Sequence, residues 1–440
     1  MTARGLIIAG ARSGVGKTTI TLAILAALAR RGVAVRAAKA GPDYIDPGFH
    51  AAATGAASIN LDSWAMPPSL LDALVVEIAD GADLLVIEGV MGLFDGVASE
   101  PGRSGATADI AARFRLPVLL VLDVAGQSQS AAAVVRGFAS HDSSVRIAGV
   151  ILNRVGSERH HALVADAIAA LDIPVVGALP RENAIALPER HLGLVQAKEH
   201  GDLAARLDSL ADLAERHIDL GKVAATAANI APPPTSAAPA LTPPGQRIAL
   251  ASDAAFTFIY PHVLEGWRRA GAEIVTFSPL NDEAPPESCT CCWLPGGYPE
   301  LHAGALANAH HFGSGLVRFA ETRAVHGECG GYMVLGEGLE DADRARHAMT
   351  GLLGHATSFA ERKLHLGYRV ARLLCDGPLG PAGTIVRGHE FHYAALISSG
   401  SEPPFVELRD GQGRPLGLSG GRRGRVTGTF FHAIAQERPQ

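Results

Sequence analysis

Short apolar runs alternate with longer amphipathic ones through the first half of the chain. Gly5–Ala9, Val33–Ala38, Asp83–Glu88, Val118–Asp123, Ile147–Leu152 and Val175–Ala178 have the length and apolar content of strands. Helical spacing marks Lys17–Arg30, Gln127–Ala139 and Glu158–Ala170. Strands apolar on both faces and alternating with helices predict βαβ units around a parallel sheet covered on both sides. The pattern then lapses. Residues 224–245 carry no charge and include Pro232, Pro233, Pro234, Pro239, Pro243 and Pro244, which favours an extended, semi-rigid connection. A second α/β pattern follows: strand Arg247–Ala251, a helix from Tyr260 to Ala270, and strands Glu273–Phe277 and Cys291–Leu294. The expected division is therefore a domain over 1–224, a linker over 225–245 and a domain over 246–440.

Composition narrows the class. The 440 residues are 48% hydrophobic and carry 38 Lys+Arg against 44 Asp+Glu, a net charge of −6, without the basic excess of a nucleic-acid binder. No apolar run reaches the ~20 residues of a membrane span. MTARGLIIAG lacks the features of a signal peptide and reads as a first strand. The 5 cysteines are odd in number and form no disulfide framework, so a reducing, cytoplasmic setting is expected, with no nucleic-acid or membrane partner. Cys289, Cys291 and Cys292 abut an apolar strand and read as packing rather than as metal ligands.

The first strand runs into Ala11-Arg12-Ser13-Gly14-Val15-Gly16-Lys17-Thr18-Thr19 and then a helix. Small residues let backbone N–H groups surround phosphate oxygens, and the helix N-terminus adds a favourable dipole. Lys17 would reach the β/γ-phosphates and Thr18 would ligate Mg²⁺, with Ser13, Gly14, Val15, Gly16 and Thr19 completing an ATP-binding loop. Ala11 stands where the common pattern has its first glycine. A glycine-rich turn that holds nothing is the alternative, and the strand before and helix after argue against it. Acidic loops follow neighbouring strands: Glu88 ends one, Asp95 lies in the loop beyond it, and Asp43 and Asp46 flank Tyr44 and Ile45 after another. In open α/β sheets ligands gather at these strand ends. Asp43 and Glu88 are thus expected as metal ligands beside Thr18. Asp43, Tyr44, Ile45, Asp46 and Asp95 are expected to face the substrate. Asn153 is either a base-edge contact or a helix cap.

Downstream, Gly327-Glu328-Cys329-Gly330-Gly331 lies between an apolar stretch and a helical one. Glycine on either flank permits a tight strand-to-helix turn that presents a nucleophile, while a lone cysteine is otherwise a small core residue. His432, near the C-terminus, is a candidate general base for Cys329. Gly296-Gly297 follow a strand and, with Gly330, offer backbone N–H groups to an oxyanion. The His389 to His392 stretch is a possible substrate-facing edge.

Cysteine turn, Gly-Gly turn and terminal histidine, in this arrangement, resemble class I glutamine amidotransferase domains. The common triad places an acid two residues after the histidine, where this chain has Ile434, so the third member is left open. Over nearly its whole length the chain resembles the cobyrinate/hydrogenobyrinate a,c-diamide synthases of cobalamin biosynthesis, through the phosphate loop, Lys39–Pro47, Phe49-His50, Asn60–Asp62, Glu88–Gly96, Leu179–Arg181 and Leu187–Leu194. The resemblance implies a dethiobiotin-synthetase-like ATP domain joined to a flavodoxin-like glutaminase domain. It implies ATP, glutamine and Mg²⁺ as reactants and cofactor. The substrate it implies is a corrinoid, whose c- and then a-acetates become amides through acyl phosphates. Whether the corrin holds cobalt is not legible, although proteobacterial members favour hydrogenobyrinate. A homodimer is an open expectation. The competing assignments are a cobyric-acid-synthase-like enzyme acting on other side chains, and a partitioning-ATPase-type switch, whose signature lysine is here Arg12.

Overall fold

The computed structural model describes residues 3–181, 189–190, 193–194, 196–199, 201–230 and 239–437. The chain divides into two compact units, one of residues 1–64 and 68–237 and one of residues 65–67 and 238–440.

In the first unit the strands are β1 (Arg4–Gly10), β2 (Val35–Ala40), β3 (Ile59–Leu61), β4 (Leu84–Glu88), β5 (Val118–Asp123), β6 (Ile147–Val155) and β7 (Val175–Pro180). They lie in the order β3-β2-β4-β1-β5-β6-β7, every neighbouring pair parallel. Every residue of β4 and β5 is buried, as strands covered on both faces must be. Chain order reverses about β1, which has β4 on one side and β5 on the other, so the loops leaving β1, β2, β4, β5 and β6 share one edge. Helix α1 (Lys17–Arg30) is alanine- and leucine-rich and buries most of its first three turns. Small side chains let it lie close to the sheet. The helix Leu203–His217 braces its far end through Arg30, paired with Asp212 at 2.8 Å and Glu215 at 2.9 Å.

Ordered contacts extend into the proline-rich stretch from both sides. Ala228–Asn229 (β8) pair antiparallel with Gly5 and Arg4, and Ala240 and Leu241 are buried in the second unit. Pro232, Pro233 and Pro234 lie outside the described residues, as do Leu187, Pro188, His191 and Leu192, while Glu189–Arg190 and Gly193–Leu194 form a short antiparallel pair.

The second unit contains β9 (Arg247–Ala251), β10 (Glu273–Phe277), β11 (Cys291–Leu294), β12 (Ala324–Glu328), β13 (His365–Leu373), β14 (Ile385–His392), β15 (Val406–Asp410), β16 (Pro415–Ser419), β17 (Gly421–Arg423), β18 (Val426–Thr429) and β19 (His432–Glu437). One sheet runs β10-β9-β11-β12-β18-β17, parallel except for β17, and an antiparallel sheet runs β16-β15-β13-β14-β19. Cys289, Cys291 and Cys292 are buried in this unit's interior, in keeping with packing. No helix among the described residues is long and apolar enough to cross a membrane.

Close backbone approach fixes several glycines. A Cβ on Gly331 would collide with the Leu294 carbonyl oxygen, an atom that the β11 ladder holds in place. Gly137 instead sits exposed within the helix Ala131–His141, with nothing near its missing side chain. Gly331→Ala should therefore lower the thermal midpoint, at a cost of about 1–3 kcal/mol. Gly137→Ala should raise stability by about 0.5–1 kcal/mol. Thermal unfolding of both variants checks the pair of signs.

Candidate active sites

The loop from Ala11 to Gly16 joins β1 to α1 through left-handed turns at Gly14 (φ 74°) and Gly16 (φ 94°). Gly10, not residue 11, carries the steric requirement: a Cβ there would sit 2.6 Å from Val15 Cγ2. Ala11 is therefore tolerated because the loop folds over its neighbour. No side chain caps α1, so its first N–H groups face the loop mouth. Asn153 donates from Nδ2 to Val15 O at 2.8 Å and lies against Gly16. Its amide thus supports the loop backbone and its Oδ1 accepts from Arg154 N at 2.9 Å, while the helix that follows is capped by Ser157 instead. Ser13 and Gly14 are exposed, and Val15 is buried.

Lys17 donates to Met91 O at 2.5 Å and to Arg12 O at 3.4 Å. Burial, then the nearby Lys39 ammonium, lowers its pKa to about 8. Met91 holds φ 47° in the loop after β4, a conformation rare for a residue with a side chain. In the same loop Asp95 is exposed and accepts from Gly92 N at 2.8 Å.

Beneath the loop lies a buried polar cluster drawn from four elements. Thr18 Oγ1 donates to Glu88 Oε1 at 2.6 Å, and Lys39 Nζ donates to the same oxygen at 2.8 Å and to Asp46 Oδ2 at 2.5 Å. His50 Nε2 lies 2.7 Å from Glu88 Oε2, and its Nδ1 lies 3.3 Å from Ser58 Oγ. Burial alone would discharge these groups. Burial opposes the charge on Lys39, but Asp46 and Glu88 outweigh it and raise its pKa. Burial likewise opposes ionisation of Glu88, yet Lys39 and the His50 hydrogen bond hold it below the usual carboxylate range. Asp46 shares the one ammonium without a second donor of that kind. Burial and the neighbouring Asp43 push it up to about 7.

The acidic loop is therefore arranged differently from expectation. Asp43, expected as a metal ligand, turns Oδ1 back to accept from the backbone N–H of Ile45 at 2.8 Å and of Asp46 at 2.9 Å, capping helix α2 (Asp46–Thr54). Asp46, expected only to face substrate, lies 3.4 Å from Thr18 Oγ1. Ile45 is buried and offers no side chain to a substrate, while Tyr44 is half-buried. Thr18, Asp46 and Glu88 supply hard oxygen donors that suit Mg²⁺. Among the described residues no three His, Cys, Asp or Glu side chains form a metal cage, so phosphate oxygens and water would complete the shell. Lys39 and His50 were not singled out from the sequence, although a lone lysine near the end of a buried strand was a signal. Asp123, at the end of β5, was also missed. It holds Arg12 at 3.0 Å and Arg154 at 2.6 Å beside the loop.

In the second unit β12 turns directly into the short helix α3 (Gly330–Leu335) at Cys329, whose φ of 46° and ψ of −104° lie outside the ordinary regions. A Cβ on Gly296 would come 2.5 Å from His432 Cε1 and 3.4 Å from Cys329 Cβ, so the three expected residues converge. Gly330 packs on Gly297, whose amide nitrogen lies 3.0 Å from where a Gly330 Cβ would be. Cys329 N donates to Thr429 O at 2.8 Å, tying the turn to β18. Burial, then the Glu300 carboxylate, raises the Cys329 thiol, while burial and the adjacent His389 and His392 keep His432 well below the usual histidine range. The resting pair is a neutral thiol beside a neutral imidazole, which suits general-base activation. Ile434 is no substitute acid. It is the extra residue of a bulge in β19 opposite β14, and its carbonyl accepts from His262 Nε2 at 3.1 Å. His389 and His392 are buried beside this site, so neither forms an exposed edge.

Residues 6–195 match the CobQ/CobB/MinD/ParA nucleotide binding domain, and residues 247–440 match the CobB/CobQ-like glutamine amidotransferase domain. Among curated relatives, the hydrogenobyrinate a,c-diamide synthase of Mesorhizobium japonicum is 63% identical over 436 residues, covering 99% of both chains. That of Rhodobacter capsulatus is 55% identical, covering 98% of this chain and 99% of its own. With two matched domains and relatives aligned end to end, the chain belongs to the hydrogenobyrinate a,c-diamide synthase family.

Proposed function

We propose that this chain converts the a- and c-acetates of hydrogenobyrinate to amides, using ATP and glutamine in the cytoplasm, as a step of cobalamin biosynthesis. The observation that carries this is the presence on one chain of two separate chemical sites, a phosphate loop over a buried Lys39–Glu88 cluster and a left-handed Cys329 beside His432. A nucleotide switch has no use for the second, and the full-length relatives favour this enzyme over a cobyric-acid-synthase-like one.

In the first unit the ATP γ-phosphoryl group passes to a carboxylate oxygen, ADP leaves, and an acyl phosphate forms. Lys17 and the loop N–H groups hold the phosphates, and Asp46, Glu88 and Thr18 would hold Mg²⁺, which neutralises phosphate charge when bound. In the second unit His432 takes the Cys329 proton as sulfur attacks the glutamine carboxamide carbon. The proton then goes to the departing ammonia, and water cleaves the thioester to glutamate. N–H groups about Gly296, Gly297 and Gly330 would face the oxyanion. Ammonia displaces phosphate from the acyl phosphate, completing one amide per ATP and glutamine. Mass spectrometry of products from hydrogenobyrinate should show two amidations, and a single one would overturn the diamide assignment.

Cys329→Ala should abolish glutamine-dependent synthesis and leave synthesis from free ammonia. Failure of ammonia to support that variant would show that the cysteine serves more than the glutaminase. Lys17→Ala should reduce synthesis from either nitrogen source by several hundred-fold or more, roughly 3–4 kcal/mol of transition-state stabilisation, with Cys329 alkylation unchanged.

The two aspartates separate capping from chemistry. Asp43→Asn keeps a side-chain oxygen for the Ile45 and Asp46 amides, so activity should fall less than about 10-fold. Asp46→Asn removes a charge from beside Thr18 and Lys39 and should cost about 100-fold or more. Steady-state ADP release ranks them, and the reverse order would place Asp43 at the metal.

A further inference from the structure

A general base must present one nitrogen to the thiol and hold its ring plane while charge moves onto it. Where other class I glutaminases use an acid, this chain has Ile434 in a bulge, its carbonyl engaged by His262. On the neighbouring strand His389 stands directly opposite His432, and the two rings stack with centroids 4.9 Å apart and planes 10° apart. Gly388 makes this possible, since a Cβ there would strike the His432 carbonyl oxygen. The outer nitrogen of His389, Nε2, lies 2.7 Å from the buried Tyr260 hydroxyl, and the Glu390 backbone hydrogen-bonds the ring as well.

We propose that His389, held by the Tyr260 hydroxyl, is the positioning residue of His432 in glutamine hydrolysis. The inference rests on the glutaminase assignment of Cys329 and His432. A ring stacked on a fixed neighbour across a strand pair cannot turn freely, so His432 keeps its plane. The Tyr260 hydroxyl holds the His389 ring at Nε2, and burial keeps that ring uncharged. An uncharged ring face attracts the imidazolium that His432 becomes, whereas a charged neighbour would repel it. The other groups around the pair are His392 on β14, Cys329 and Glu328 at the end of β12, Glu300 after the Gly-Gly turn, His262 near Tyr260, and Glu390, which is bound to Arg369 at 2.6 Å.

The test is glutamine hydrolysis by the full chain from pH 5 to 9, with thermal unfolding of each variant alongside. Tyr260→Phe deletes one oxygen. It should lower kcat about 10-fold, a part of what a general base supplies, with KM for glutamine within about twofold. His389→Ala should lose about 100-fold in kcat, and His389→Phe should recover part of that by restoring a stacked ring. Wild-type kcat in Tyr260→Phe, or a loss lying wholly in KM, would overturn the proposal. So would a His389→Phe variant no better than His389→Ala. If Cys329→Ala hydrolyses glutamine normally, the underlying glutaminase assignment has failed instead.

Discussion

Both sites depend on one steric constraint: a buried parallel strand turns into a helix with no room for a Cβ at the point of closest approach. In the first unit Gly10 and Gly16 meet that constraint against Val15 and Asn153. In the second, Gly327 and Gly331 let α3 settle on β11 and β12, and the positive φ is left to Cys329. Glycine absorbs the strain in the phosphate loop, so backbone N–H groups are what the loop presents. A cysteine absorbs it in the other, so a sulfur is what the turn presents. One local geometry thus presents backbone N–H groups in one half and a thiol in the other.

Charge is handled in opposite ways at the two sites. Around Lys39 the chain buries ions and offsets their desolvation with one another, a costly arrangement that fixes positions rather than adding stability. Lys39 and His50 hold Glu88 charged and oriented beneath Thr18, where phosphoryl chemistry needs fixed charge. Around Cys329 burial keeps His432, His389, His392 and the thiol neutral. The proton transfer proposed there moves charge within a site that starts with little of it.

Strand identity was legible because apolar runs and loop glycines are local signals. Lys17–Arg30, Val118–Asp123, Arg247–Ala251 and Cys291–Leu294 match in both termini. Convergence of Cys329, Gly296 and His432 was legible for the same reason, since each closes or follows its own strand. The partners that tune them were not. Asp43 and Asp46 stand three residues apart, and only the fold shows that one caps α2 while the other enters the buried cluster. The His389 to His392 stretch was expected as a substrate-facing edge, and its spacing said nothing of the strand it would pair with. The bulge at Ile434 resets the register and brings His389 opposite His432.

That bulge also explains how the second site manages without an acid at position 434. A carboxylate beside His432 would have to be buried among groups that burial already holds neutral, and its own pKa would rise, as that of Glu328 does, to about 8. Glu328 spends its oxygen on Ala433 N at 3.1 Å, fixing the strand next to the base rather than the base itself. A ring held by a tyrosine hydroxyl avoids the difficulty, because neither partner needs to be ionised in order to orient its neighbour. The cost of a buried anion is removed, and the direction in which His432 faces Cys329 is set by packing.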